Sequence, residues 1–178
     1  AEGKDGPEAL ACVDSGPLAA YVWKTTADPF VGKQTFFRIY SGMLNSDSRI
    51  WNQNKSMEER LGTLQLSRGK ETFAVKQVHA GDICMVPKLA ETTTTNTMCD
   101  RAHPLTLPIP TYPNALYLVA ATPKTQADST KISPTLTRLC EEDKTLSWHM
   151  EPATNQTILQ GMGDQHIDVA IRRATTKF

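Results

Sequence analysis

Two domains are expected from this sequence, an all-β barrel followed by an α+β sandwich, and three observations predict them. Short β-type runs separated by turn residues recur from Leu18 to about Cys99, a pattern of many closely spaced strands that favours a closed barrel. Four prolines, Pro104, Pro108, Pro110 and Pro113, then restrict the backbone and block both helix and central strand. Beyond them the apolar spacing reads strand, helix, strand, strand, helix.

Taken in order, residues 1–17 hold Gly3, Gly6, Pro7, Gly16 and Pro17 with few large apolar side chains, and read as a connector with little fixed structure before Gly16. The barrel is assigned to residues 18–102. Its expected strands are Leu18–Thr25, Gln34–Tyr40, Arg49–Asn52, Leu61–Leu66, Thr72–Val78 and Asp82–Leu89. Loop chemistry separates them at Ser41-Gly42, Asn45–Ser48, Arg68-Gly69 and Ala80–Asp82. In Thr35-Phe-Phe-Arg-Ile-Tyr40, Phe37 and Ile39 fall on one face and Arg38 and Tyr40 on the other, a strand with one wet side.

The proline-rich stretch 103–114 is the expected linker, and the second domain runs over 115–178. Leu116–Ala121 is a short apolar strand. Lys124–Asp143 carries Ile132, Leu136, Leu139 and Cys140 at helical spacing, with Pro134 expected to kink the helix or restart it with Ser133 as cap. Leu146–Glu151 and Thr157–Gln160 flank a turn at Pro152–Gln156, and a last helix has Ile167, Ala170, Ile171 and Ala174 on one face. This order is a ferredoxin-like sandwich short of its final strand, as expected of an excised fragment.

At 178 residues the chain is long enough for two small cores, and 19 basic against 19 acidic residues leave no global field to attract nucleic acid or membrane. Any RNA contact must be a local patch. Cys12, Cys84, Cys99 and Cys140 form no Cys-x-x-Cys pair, so free buried thiols in a reducing cytoplasm are expected rather than a zinc or redox site. No apolar run approaches a membrane span. Asn155-Gln-Thr157 matches a glycosylation sequon, which is read as coincidence because no secretory signal precedes it.

Enzymatic signatures are weak. Val31-Gly32-Lys33-Gln34-Thr35 fails as a phosphate loop because Ala27 and Gln34 stand where Gly and Ser or Thr are required. His79, His103, His149 and His166 show no i, i+3 or i+4 pairing, so no local metal site is expected, and no nucleophile elbow occurs. Lys24, Lys33, Arg38, Arg49, Lys55, Arg60, Arg68 and Lys70 could meet phosphates, with Tyr40 and Trp51 free to stack, although Asp28, Asp47, Glu58 and Glu59 make an ordinary solvated surface an equal reading.

The most informative segment is Thr157-Ile-Leu-Gln-Gly-Met-Gly-Asp-Gln-His-Ile-Asp-Val-Ala170, which reads as strand, glycine turn and helix. Gly161 and Gly163 permit positive φ or close approach, and the helix start offers unpaired N–H groups to an anion or a neighbouring domain. The plainer alternative is a compact turn. The positive end of the helix dipole disfavours a charged His166, leaving a ring that can donate and accept, or one that merely packs under the strand. Asp164 is suited to bonding first-turn amides, worth roughly 0.3–1 kcal/mol through the dipole.

The wording Gly161-Met-Gly-Asp-Gln-His-Ile-Asp-Val169 closely resembles a signature of the third domain of elongation factor G, a ribosome-dependent translational GTPase. Pro17–Ala20, Asp28-Pro-Phe-Val-Gly32, Arg38-Ile-Tyr-Ser-Gly42 and Ala80-Gly-Asp82 resemble its second domain, and Pro123–Asp128 and Leu139-Cys-Glu-Glu-Asp143 resemble its third, in family order. The resemblance implies a translation-factor β-barrel docking on small-subunit ribosomal RNA, with Lys33, Arg38, Arg49 and Lys55 as candidate contacts. It also implies a ferredoxin-like domain whose Gly161, Met162, Gly163, Asp164, Gln165 and His166, with Pro123 and Ala170, face the GTPase switches and border the fusidic acid pocket. GTP and Mg would belong to the parent's absent GTPase domain; no cofactor, metal or catalytic residue is expected in these two domains.

The implied parent is cytoplasmic and acts in translocation, and the fragment is expected to be monomeric, with the ribosome and the parent's own GTPase and C-terminal domains as partners. Asp164-Gln165 replaces the usual Glu-Leu, and Thr95-Asn96-Thr97 replaces Gly-Asp-Thr. These departures suggest a divergent paralogue, leaving recycling as an alternative role. A free-standing RNA-binding or protein-interaction module is the rival reading, and a small enzyme using His166 and Asp164 ranks below both.

Overall fold

The computed structural model describes residues 1–28, 31–123 and 125–177. Pro29 and Phe30 of the Asp28–Gly32 motif, and Lys124 at the expected helix start, lie outside the described residues. The chain divides into two compact units, Ala1–Ile109 and Pro110–Phe178.

The first unit contains β1 (Glu2–Gly3), β2 (Gly6–Pro7), β3 (Ala19–Asp28), β4 (Gly32–Ser41), β5 (Leu44–Asn45), β6 (Arg49–Asn52), β7 (Met57–Arg60), β8 (Leu64–Arg68), β9 (Glu71–Val75), β10 (Gln77–Val78), β11 (Ile83–Pro87), β12 (Thr97–Cys99) and β13 (Leu105–Thr106). Its main sheet has eight strands in the order β7-β6-β12-β3-β4-β11-β8-β9, with a separate β10-β5 pair. Among the described residues no pairing joins β7 to β9, so the sheet is barrel-like without the closed ladder expected. Burial nevertheless follows the alternation read from the sequence. Phe37 and Ile39 are fully buried with Val22, Leu64 and Met98 in one core, while Arg38 and Tyr40 face solvent.

Residues 1–17 are fastened rather than frayed. β1 pairs with both β2 and β13. The Glu8 carboxylate meets His103 Nε2 at 2.9 Å, and Asp14 takes His79 Nδ1 at 2.8 Å and the Ala80 N–H at 3.0 Å. The Ala80 and His79 hydrogen bonds hold the Asp14 carboxyl below its ordinary range. The expected linker differs too: Leu105 and Leu107 are buried against Ala19, Tyr21 and Cys99, so its first half belongs to the barrel unit. Residues 1–17 escape a local reading because the partners of Asp14 and Glu8 lie 65 and 95 residues away in sequence.

A threonine-rich turn lies against β3 beside the bulge in that strand. Thr93 O accepts from the Asn96 N–H at 3.1 Å, and the Thr95 N–H donates to Val22 O at 2.7 Å. Beneath it Asn52 Nδ2 donates to Thr92 Oγ and Asn96 Oδ1, and buried Glu59 accepts from the Thr92 hydroxyl and the Glu91 N–H. Thr95 sits at φ +79°, the third-position conformation of a type II turn that favours glycine and penalises a β-branched side chain. Thr95→Gly is therefore expected to stabilise the first unit by about 1 kcal/mol, strain relief outweighing the entropy of the freer unfolded chain. A urea midpoint that falls instead would show the turn to be unstrained.

The second unit contains β14 (Tyr117–Ala121), α1 (Gln126–Ser129), α2 (Ile132–Glu142), β15 (Ser147–Glu151), β16 (Gln156–Gly161) and α3 (Asp164–Lys177). Its antiparallel sheet has the order β14-β16-β15, and Leu159 on the central strand packs with Leu136, Leu139, Leu146, Ile167 and Ala170. The single helix expected over 124–143 is two. Thr125 caps α1 in a capping box with Asp128, and α2 restarts with Lys131, not Ser133, as N-cap. Pro134 is then the third residue of α2, in the turn whose amides have no intrahelical acceptor, so its missing N–H costs nothing there. Ile171 is 46% exposed and falls off the buried stripe, which is set by Ile167 and Ala170. No helix among the described residues is long and apolar enough to cross a membrane.

Candidate functional site

The two glycines of the β16–α3 corner have different physical reasons, and neither is a positive φ. Gly161 is the buried end of β16, where an added Cβ would lie 2.8 Å from Ile167 Cδ1 and 3.1 Å from His166 Nδ1. It allows the first turn of α3 to pack directly on the strand end. Gly163 has open space about its missing side chain, and its carbonyl accepts from the Ile167 N–H at 3.1 Å, so it caps α3 from the position just before the helix. Gly161→Ala should cost roughly 1–2 kcal/mol by crowding a core isoleucine, while Gly163→Ala should stay within about 1 kcal/mol of the parent. Thermal unfolding of the two variants distinguishes them.

Asp164 Oδ1 accepts from the Gln165 N–H at 2.7 Å, a first-turn amide of α3. His166 does more than pack under the strand. Its Nδ1 accepts from the Met162 N–H at 3.1 Å, and Nε2 lies 3.0 Å from Asp143 Oδ2. A backbone N–H can only donate, so Nδ1 carries the lone pair and the proton sits on Nε2. Asp143 follows α2 as its C-cap residue, and its Oδ1 accepts from the Thr145 N–H at 2.9 Å and from the Thr145 hydroxyl. Partial burial pushes the Asp143 carboxyl up, but the Thr145 and His166 hydrogen bonds outweigh it and hold the group below the usual carboxylate range.

Met162 is 53% exposed at this corner, with Asp164 and Gln165 also at the surface. The sheet register brings Tyr117 opposite Gly161, so Tyr117 and its neighbour Leu116, 81% exposed, stand at the same end of the sheet. Pro123 is not brought there. It follows Ala121, which pairs with Thr157 four residues before Gly161, roughly 14 Å along the strand. Ala170 is buried between α3 and the rest of the core, where it can act on the corner only through packing. Asp143 and Thr145 are the partners that sequence reading missed; nothing in the spacing of residues 143 and 166 signals their contact.

The barrel cations do not form one cluster. Lys33 is the second residue of β4 and its Nζ donates to Ala90 O at 3.1 Å, whereas Arg38, five residues on and about 17 Å along an ideal strand, lies 5.4 Å over the Tyr40 ring. Arg49 of β6, three strands from β4 in the sheet, is paired at 2.8 Å with Glu58 of the neighbouring β7, and Lys55 is exposed in the β6–β7 turn. Trp51 is not a free stacking surface, because Arg101 covers its ring at 5.3 Å and its indole N–H donates to Gln53. Trp23 and Phe36 instead pair with each other across β3 and β4: their rings lie 5.8 Å apart, and Lys24 sits 6.0 Å over Phe36.

Among the described residues no group of three or more His, Cys, Asp or Glu is placed to hold a metal ion. Cys84 and Cys99 are buried and Cys140 half-buried, with burial pushing their thiols up, Cys140 to about 11; Cys12, contrary to expectation, is exposed.

Comparison with known proteins matches both units. Residues 17–101 match Elongation factor G domain 2, and residues 112–178 match Elongation Factor G, domain III. Over 90% of its length the chain also matches a crystal structure from Thermus thermophilus, with a TM-score of 0.80 and 28% identity, while spanning 24% of that structure's chain. The barrel-like sheet, the helix-backed three-stranded sheet and the Gly161–Val169 signature thus lie in the order in which the two matches run. The chain belongs to the elongation factor G family and carries its second and third domains.

Proposed function

We propose that the chain is the coupling section of a ribosome-dependent GTPase acting in translocation. Its barrel domain docks on small-subunit ribosomal RNA, and its third-domain corner reads the state of a GTPase domain elsewhere in the parent. GTP and Mg are held by that GTPase domain, and the section transmits rather than catalyses. The observation that carries this reading is the construction of the corner. Met162 is exposed and Gly163 is open on its outer side, yet both stand on a strand end and a helix start fixed from beneath by Gly161 and His166. A rigid surface with a residue of no bulk at its tip suits the close approach of another backbone.

Full-length protein is expected to hydrolyse GTP faster with ribosomes than without. Gly163→Val should lower that stimulation about tenfold, the effect of roughly 1.4 kcal/mol at a crowded contact, while folding stability falls by only about 1 kcal/mol, the scale of a lost helix cap. Absence of GTP binding and of ribosome association in the full-length protein would overturn the reading. Charge reversal at Lys33 and Arg38 should weaken footprints on small subunits; unchanged protection removes both residues as contacts.

A further inference from the structure

We infer that Asp143 is the positioning residue of the corner, setting the ring of His166 and through it the Met162 amide. This rests on reading Met162 and Gly163 as the partner-facing atoms. Met162 falls between the last β16 residue and the first α3 residue, so its N–H belongs to neither the strand ladder nor the helix. The His166 Nδ1 lone pair takes it. That bond exists only while the ring holds its proton on Nε2 and keeps its plane toward Met162, and Asp143 Oδ2 at 3.0 Å serves both requirements.

Asp143 is itself held from the other side. Thr145 fixes Oδ1 through its N–H and hydroxyl, and the Asp143 N–H is bonded to Leu139 O at 2.9 Å at the end of α2. A line of hydrogen bonds therefore runs from the α2–β15 turn, through one carboxylate and one imidazole, to the exposed Met162. Displacement of Met162 by a partner is resisted at the C-terminal end of α2, a helix whose Leu136 and Leu139 share the core with Leu159 of the corner's own strand. Asp143 is thus the point at which the corner and the α2–β15 turn are mechanically joined.

The test uses the chain itself. In Asp143→Ala the Met162 amide should exchange with solvent about tenfold faster, the loss expected for one hydrogen bond, while the Leu159 amide keeps its protection. In a His166→Ala background the same substitution should add nothing, because the ring that carries the effect is gone. Unchanged Met162 exchange, or an effect of Asp143→Ala that persists without His166, overturns the inference. Nitrogen NMR of the unsubstituted protein supplies a reading independent of any folding defect: a His166 ring protonated on Nε2 is expected, and one protonated on Nδ1 overturns the assignment. These readouts need no ribosome, so they separate from the coupling role. In full-length protein Asp143→Ala should also lower ribosome-stimulated hydrolysis; a relay confirmed by exchange with hydrolysis unaffected would sink the partner-facing reading alone.

Discussion

Gly42→Ala is expected to unfold the first unit at temperatures where the parent is intact. Gly42 lies at φ +77°, where an L side chain is disfavoured by about 1–2 kcal/mol. Its added Cβ would also stand 2.8 Å from Leu18 Cα, 2.9 Å from Leu18 N and 3.0 Å from Gly16 O. These are backbone atoms, and no rotamer change removes them. Overpacking of that kind adds about 1–3 kcal/mol, for a combined loss of roughly 2–5 kcal/mol. The Gly42 N–H also donates to Val13 O at 3.0 Å, so a shift that relieved the crowding would loosen residues 1–17. A fall in Tm of about 10–20 °C should follow in calorimetry. Gly69, with φ +62° at the first central position of the two-residue β8–β9 turn but open space around it, is the control. Gly69→Ala should show the conformational cost alone, about 1–2 kcal/mol. Equal losses at the two positions would show that close packing at Gly42 contributes nothing.

What the sequence makes legible is periodicity and turn chemistry. Phe37 and Ile39 alternate with Arg38 and Tyr40 because β4 has one dry face, and that alone locates the strand. β12 escapes such a reading because Thr97, Met98 and Cys99 are buried on both faces between β3 and β6, so no alternation survives. β7 escapes it because Met57-Glu-Glu-Arg60 is a charged edge strand, and only its pairing with Arg49–Asn52 makes it a strand at all. The glycine corner is legible as strand, turn and helix, but not the division of labour within it. Gly161 is required by Ile167 beneath it, and Gly163 by nothing inside the unit. The His166–Asp143 contact spans 23 residues and depends on where α2 ends. The start of α2 is set by the helix break at Thr130 and Lys131, which places Pro134 in a first turn; the proline alone indicates a kink or a restart with Ser133, not Lys131, as cap.

Leu159→Ala is expected to remove the second unit's fold and the corner with it. Leu159 has no exposed surface, sits on the central strand, and lies between Val119 of β14 and Trp148 of β15 in the register. It faces α2 and α3 through Leu136, Leu139, Ile167 and Ala170, so its truncation opens a cavity that no single neighbour can fill. Such substitutions cost about 2–5 kcal/mol, and a core in a domain this small contributes only about 3–5 kcal/mol of net stability. The variant should therefore be largely unfolded over residues 117–177, seen as lost amide protection from Gln156 to Gly161. Ile171→Ala, at an exposed position of α3, should change stability by less than about 0.5 kcal/mol. Should Leu159→Ala keep its strand protection while the Met162 amide exchanges freely, the corner would be a separately melting element. Intact protection at both places would mean that the core repacks. Loss of both together is expected, because Gly161 holds α3 only where β16 is held, and β16 is held by Leu159.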